Sequence, residues 1–118
     1  MREYEATIVL SPLLEDQAVS QLVEQVSGLI QKSGGEVTSV GQLVDKRGNV
    51  AAVTENWRAR KLAYAIGGHR EGYYVVVRFT SPTGAPDELE RWLNIAETVL
   101  RFLVLRVQEA PVAAAEAD

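Results

Sequence analysis

Between Glu3 and Gly35 the chain changes its hydrophobic period, and this change constrains the fold more than any other feature of the sequence. Tyr4, Ala6, Ile8 and Leu10 alternate with Glu3, Glu5, Thr7 and Val9, the period of two that marks a strand with one wetter face. In "SPLLEDQ", Pro12 suits a first helical turn, and Glu15 and Asp16 suit a helix N-terminus. Val19, Leu22, Val23, Val26, Leu29 and Ile30 then step by three and four, a single apolar stripe on a helix ending at "KSGG". Gly34 and Gly35 are expected to supply its left-handed C-cap. A strand that needs cover is thus followed by a helix with one face to offer.

The rest of the chain extends this pattern. A second β region begins at "EVTSV", "VDKRGNVAAV" reads as a hairpin turning near Gly48 and Asn49, and "RKLAYAI" resumes as strand. "GGHREG" is expected as a turn, followed by "YYVVVRFTS", the most strand-like stretch. Pro86 opens a second helix with Leu89, Trp92 and Leu93 on one face, and "VLRFLVLRV" closes as strand. The order β-α-β-β-α-β predicts a ferredoxin-like α+β sandwich, a four-stranded antiparallel sheet with two helices on one face. An extra β-hairpin at about residues 41–56 is inserted in the second β region. Residues 1–108 form one domain, and 109–118 a flexible tail with nothing to pack.

Two helices cover only one face of such a sheet. With Ala6, Ile8, Leu10, Val75, Val77, Phe79, Phe102 and Val104 inward, the open face carries Thr7, Val9, Tyr74, Val76, Arg78, Arg101, Leu103 and Leu105. A slip of one residue would exchange the faces. A solvated face should read polar, and this one does not; a protein partner, the tail or another copy is expected there.

Charge is segregated as well. The chain has a net charge of −4, yet Lys46 to Arg78 holds seven basic residues against Glu55 and Glu71, a segment of +5 that leaves −9 elsewhere. Such a patch suits nucleic acid, unless flanking carboxylates neutralise it in space. Arg58, Arg60, Lys61, Arg70, Arg78, Arg101 and Arg106 lie on or beside strands, with Trp57, Tyr64, Tyr73 and Tyr74 among them. "YYVVVRF" lacks the basic-glycine-aromatic start of an RNA-recognition motif, so backbone contacts by arginine are favoured over base stacking across the sheet.

Catalysis finds little support. His69 is the one histidine, no serine sits in a GxSxG elbow, and neither a phosphate loop nor a dinucleotide fingerprint occurs. No metal-ligand spacing is present, and the absence of cysteine removes disulfides, thiolate metal sites and cysteine nucleophiles. No catalytic residue, cofactor, metal or small-molecule substrate is therefore expected. The longest apolar runs are too short to span a membrane, and "MREYEATIVL" does not read as a secretory signal.

Taken together, "MREYEATIVLSPLL", the "GG" after the first helix, "RKLAYAI", "REGYYVVVRF" and "LNIAETVLRFLVLRV" resemble successive blocks of the bacterial small-subunit ribosomal protein six family, from Met1 to Val107. The resemblance implies a non-enzymatic, structural protein with this same fold. It also implies binding to the central domain of small-subunit ribosomal RNA together with ribosomal protein eighteen, which docks on the sheet side. The cytoplasm follows as location, with an organellar ribosome left open. Carried over by position, Arg2, Arg60, Lys61 and Arg101 face RNA, and Tyr64 contacts the partner. The strand reading adds Arg58, Arg78 and Arg106 to the RNA set, and Val9, Tyr74, Val76, Leu103 and Leu105 to the partner surface. A regulatory or ligand-binding domain that pairs sheets with itself is the alternative.

The chain also departs from the family pattern. Ala65 stands where a proline is usual, which is expected to loosen that strand end, and Arg58 and Ala59 replace a glycine-basic step after the tryptophan. Asn94 and Ala96 stand where basic residues are commoner. The second β region is about a dozen residues longer than usual, expected as a protruding arm whose Lys46 and Arg47 reach further RNA or a neighbouring protein.

Overall fold

A computed structural model describes residues 2–43, 50–52, 56–66 and 68–107, apart from the side chains of Ala63 and Tyr64. The elements run β1 (Arg2–Leu10), α1 (Asp16–Lys32), β2 (Glu36–Leu43), β3 (Val50–Ala51), β4 (Ala59–Ile66), β5 (His69–Ser81), α2 (Ala85–Ile95) and β6 (Val99–Arg106). The described sheet is antiparallel, in the order β3-β2-β5-β1-β6, with β4 also on β5. Glu36–Gln42 pairs along Thr80–Val75, and Ala59–Lys61 continues along Tyr73–Glu71. Strands β2 and β4 therefore occupy one lane beside β5, and the frame is the ferredoxin-like four-lane sheet.

The periodicities predicted from sequence produce the core. Ala6, Ile8, Leu10, Val75, Val77 and Phe79 are fully buried, together with Val19, Val26 and nearly all of Ile30, Leu89 and Leu93. Phe102, Val104, Val23, Leu29 and Trp92 pack against this cluster from its margin. Residues opposite one another in an antiparallel pair share a face, so the register Ile8–Val75 and Ile8–Phe102 fixes the inward set. Tyr4 stacks on Phe79 with ring centroids 5.6 Å apart.

Local chemistry explains the ends of α1. The Gly34 amide donates to Gln31 and the Gly35 amide to Ile30, the paired bonds of a Schellman motif. Of these two glycines, Gly34 adopts the left-handed region, at φ 91°, and Gly35 does not. The role expected for Gly35 is thus corrected: it is a close-approach residue, since a Cβ there would lie 2.6 Å from the Thr80 carbonyl oxygen. Pro12 is also corrected. It lies in a turn closed by Leu14 N–H donating to the Ser11 carbonyl, and the helix begins only at Asp16.

The "GGHREG" turn is shorter than expected. His69 opens β5 opposite Ile66, and His69, Arg70, Glu71 and Gly72 all belong to the strand. A two-residue connection suits the twist of a hairpin when glycine supplies positive φ, as Gly68 does at 85°. Strand β4 runs through Ala65 to Ile66, but its register with β5 shifts between Lys61 and Ile66.

The insertion is bracketed by pairing. Gln42 lies opposite Val75 and Ala59 opposite Tyr73, so a straight strand would need one residue between them. The chain places sixteen there, residues 43–58, against the expected bracket of 41–56. Its flanks pair as a hairpin, Gln42 with Ala51 and Leu43 with Val50. The expected turn at Gly48 and Asn49, the tip cations Lys46 and Arg47, and the tail over 109–118 lie outside the described residues.

The return of the insertion is bolted down. Trp57 is buried in the core, its backbone N–H donates to the Asp16 carboxylate, and its indole N–H donates to the Ser20 hydroxyl at 3.2 Å. Gln42 bridges the same point: its amide donates to the Asn56 carbonyl at 3.2 Å and its Oε1 accepts from the Arg58 N–H at 3.0 Å.

Candidate protein and nucleic-acid interface

The sheet face away from the helices is built from the alternate residues of the same strands. Glu5–Leu105, Thr7–Leu103 and Val9–Arg101 are opposite pairs between β1 and β6, and Val9–Tyr74, Thr7–Val76 and Glu5–Arg78 between β1 and β5. Five residues assigned to a partner surface, Val9, Tyr74, Val76, Leu103 and Leu105, therefore share this face. The side chain of the sixth, Tyr64, lies outside the described set. Leu103 is 56 % and Leu105 52 % exposed, on a strand whose alternate residues Phe102 and Val104 pack into the core. Fully burying such a leucine is worth about 1.5–3 kcal/mol, so the face has association energy in hand.

A shallow cleft of about 290 Å³ opens on this face, lined by Thr7, Val9, Leu62, Ile66, Tyr74 and Leu103, with Arg101 and Phe102 at its side. Leu62 and Ile66 were missed from sequence. Alternation from Arg60 would have found Leu62, whereas Ile66 follows the register shift in β4 and carries no such signal. Also missed was Glu5, whose Oε2 accepts from Arg78 Nε at 3.0 Å. Both side chains are partly solvated, so this pair contributes only about 0.2–1 kcal/mol.

The seven cations assigned to RNA do not form one patch. Arg78 and Arg101 lie on the open face, and Arg60, opposite Gly72, shares its parity. Lys61, opposite Glu71, has the other parity, as do Arg2, opposite Ser81, and Arg106, opposite Tyr4. Arg58 is exposed just before β4. Among the aromatic residues, Trp57 is core and Tyr73 turns inward, its hydroxyl donating to the Leu14 carbonyl at 3.0 Å. Neither ring is presented for stacking, while Tyr74 lines the cleft.

No group of three or more metal-ligating side chains occurs among the described residues, and no described helix is long and apolar enough to cross a membrane. The recognisable surface is thus an apolar sheet face flanked by arginines.

Comparison with known proteins places the chain in a family. The family model for ribosomal protein S6 matches residues 37–106. Small ribosomal subunit protein bS6 of Moorella thermoacetica is 38 % identical over 109 residues, 92 % of this chain and 97 % of that protein. The chain belongs to the ribosomal protein S6 family. The bS6 protein of Clostridium novyi is 35 % identical over 109 residues, 92 % of this chain and all of that protein. The crystal structure of 30S ribosomal protein S6 from Thermotoga maritima superposes with a TM-score of 0.76, covering 98 % of this chain and 96 % of the other. At 23 % identity that likeness speaks for the fold alone, and the ribosomal protein S6 assignment rests on the sequence matches.

Proposed function

We propose that this protein is a non-enzymatic, structural component of the small ribosomal subunit in the cytoplasm, binding the central domain of its ribosomal RNA together with ribosomal protein eighteen. Residues 1–108 act as the folded domain and 109–118 as a tail. The observation that carries the reading is the open sheet face, where Leu103 and Leu105 stay half exposed beside the cleft formed with Val9 and Tyr74. Such a face suits a protein partner, and the arginines at its margin suit phosphate. Partner contact is assigned to Val9, Tyr64, Tyr74, Val76, Leu103 and Leu105. RNA contact is assigned to Arg2, Arg58, Arg60, Lys61, Arg78, Arg101 and Arg106, and at Arg78 phosphate would compete with the Glu5 carboxylate.

Reconstitution with ribosomal protein eighteen and a central-domain RNA fragment tests this reading. RNA capture is expected to require the protein partner and to weaken steeply with salt, as phosphate neutralisation demands. Changing Arg60 and Lys61 together to glutamate should weaken capture further. A stable homodimer indifferent to partner, RNA and salt would overturn the reading in favour of a self-pairing domain.

A further inference from the structure

The insertion leaves β2 over the open face rather than away from it. Gly41 lies opposite Val76, so its missing Cβ would point to the open side. There it would lie 2.6 Å from Val50 Cγ1 and 2.7 Å from the Ala51 carbonyl oxygen. Only glycine lets the stem of the insertion cross so close above the sheet. Val76 is only 5 % exposed although it lies outside the helix-side core, while Leu103 and Leu105 remain open. Beneath the stem runs a second groove of about 440 Å³, walled by Val50–Ala52 and floored by Glu5, Val76 and Arg78. Its floor residues continue those of the apolar cleft, Glu5 beside Thr7 along β1 and Val76 beside Tyr74 along β5, so the two hollows are neighbours on one face. The far end of the insertion is fixed by Trp57 and by the Gln42 bridge, and the stem itself pairs with β2 at Gln42–Ala51 and Leu43–Val50.

From this placement we infer that the inserted segment serves protein docking: Val50, Ala51 and Ala52 form a raised wall along the groove that receives the protein partner on the open face. The inference rests on the partner-docking reading above and deepens it. Val50 is 46 % exposed, so an apolar flank remains on the groove side after it covers Gly41. Among the described residues the groove floor carries one cation, and the Arg78 guanidinium is paired with Glu5 there. An extended polypeptide segment continuous with whatever fills the apolar cleft fits that chemistry, and an RNA backbone does not. The segment seated against Val50 is therefore part of ribosomal protein eighteen itself.

Titration of the full chain with ribosomal protein eighteen, then of the preformed pair with central-domain RNA, tests the assignment. Val50→Asp and Ala52→Asp change exposed positions, so circular dichroism and thermal midpoint should match the parent chain. Each is expected to weaken partner binding tenfold or more while leaving the RNA affinity and salt slope of the saturated pair unchanged. Leu103→Asp serves as the control for the docking face. If Leu103→Asp abolishes partner binding and both stem variants stay within twofold of the parent, the wall assignment is wrong and the docking reading stands. Stem variants that bind the partner normally but lose RNA would make the insertion an RNA element and overturn the inference. A parent chain that does not bind ribosomal protein eighteen at all would overturn both.

Discussion

The two faces of the sheet carry similar side chains and meet different fates. Val75, Val77 and Phe79 on one side disappear under α1 and α2, whereas Tyr74 and Leu103 on the other line an open cleft. The difference lies in helix supply: α1 and α2 each have one apolar stripe, and both stripes are used on the same side. The exposed leucines of the second face, Leu103 and Leu105, should therefore add little to the stability of the isolated chain, as the proposed docking role requires. Deleting one large side chain from each face is the strongest challenge to this view. Phe79→Ala should cost about 3–5 kcal/mol in urea unfolding. Leu103→Ala should change stability by only about 0.5 kcal/mol. Equal losses would mean that the open face is covered within the chain itself.

Glycine contacts sharpen the contrast at smaller amplitude. A Cβ on Gly35 would lie 2.6 Å from the Thr80 carbonyl oxygen and 2.8 Å from the Ser81 Cβ, where α1 turns into β2 against the end of β5. Neither neighbour has room to yield, since Ser81 is fully buried, so Gly35→Ala should cost about 1–3 kcal/mol. A Cβ on Gly41 would meet equally short distances, but its neighbours Val50 and Ala51 belong to a stem joined to β2 through two residue pairs. The stem can lift, and Gly41→Ala should cost about 1 kcal/mol or less by the same unfolding measurement. The lifted stem should expose Val76, read as faster amide exchange there. A large loss at Gly41 would show the stem to be part of the folding unit.

The fold was legible because its signals are local. The alternation from Tyr4 to Leu10 and the stripe from Val19 to Ile30 each name their own element, and together they fix which residues point inward. The open face followed by subtraction. What stayed hidden depends on long-range geometry. Nothing in the sequence near Gly41 states that Val50 will cross above it, and nothing near Trp57 names Asp16 and Ser20 as its partners. The cations illustrate the same limit. Arg60 and Lys61 are neighbours in sequence, yet strand alternation sends them to opposite sides, so a charge cluster on paper becomes two half-patches in space.

The smallest effect concerns a charge pair that spans the open face. Glu5 and Arg78 are directly opposite in register, which brings their side chains together without bending either strand. Because water reaches both, a double-mutant cycle with Glu5→Gln and Arg78→Gln should return a coupling of about 0.2–1 kcal/mol, shrinking as salt is raised. The sign matters more than the size. A favourable coupling that salt erodes means Arg78 is occupied within the chain, so Arg78→Gln should weaken RNA capture less than Arg60→Gln does. A vanishing coupling would release Arg78 to act on phosphate and would move the centre of RNA binding toward the middle of the open face.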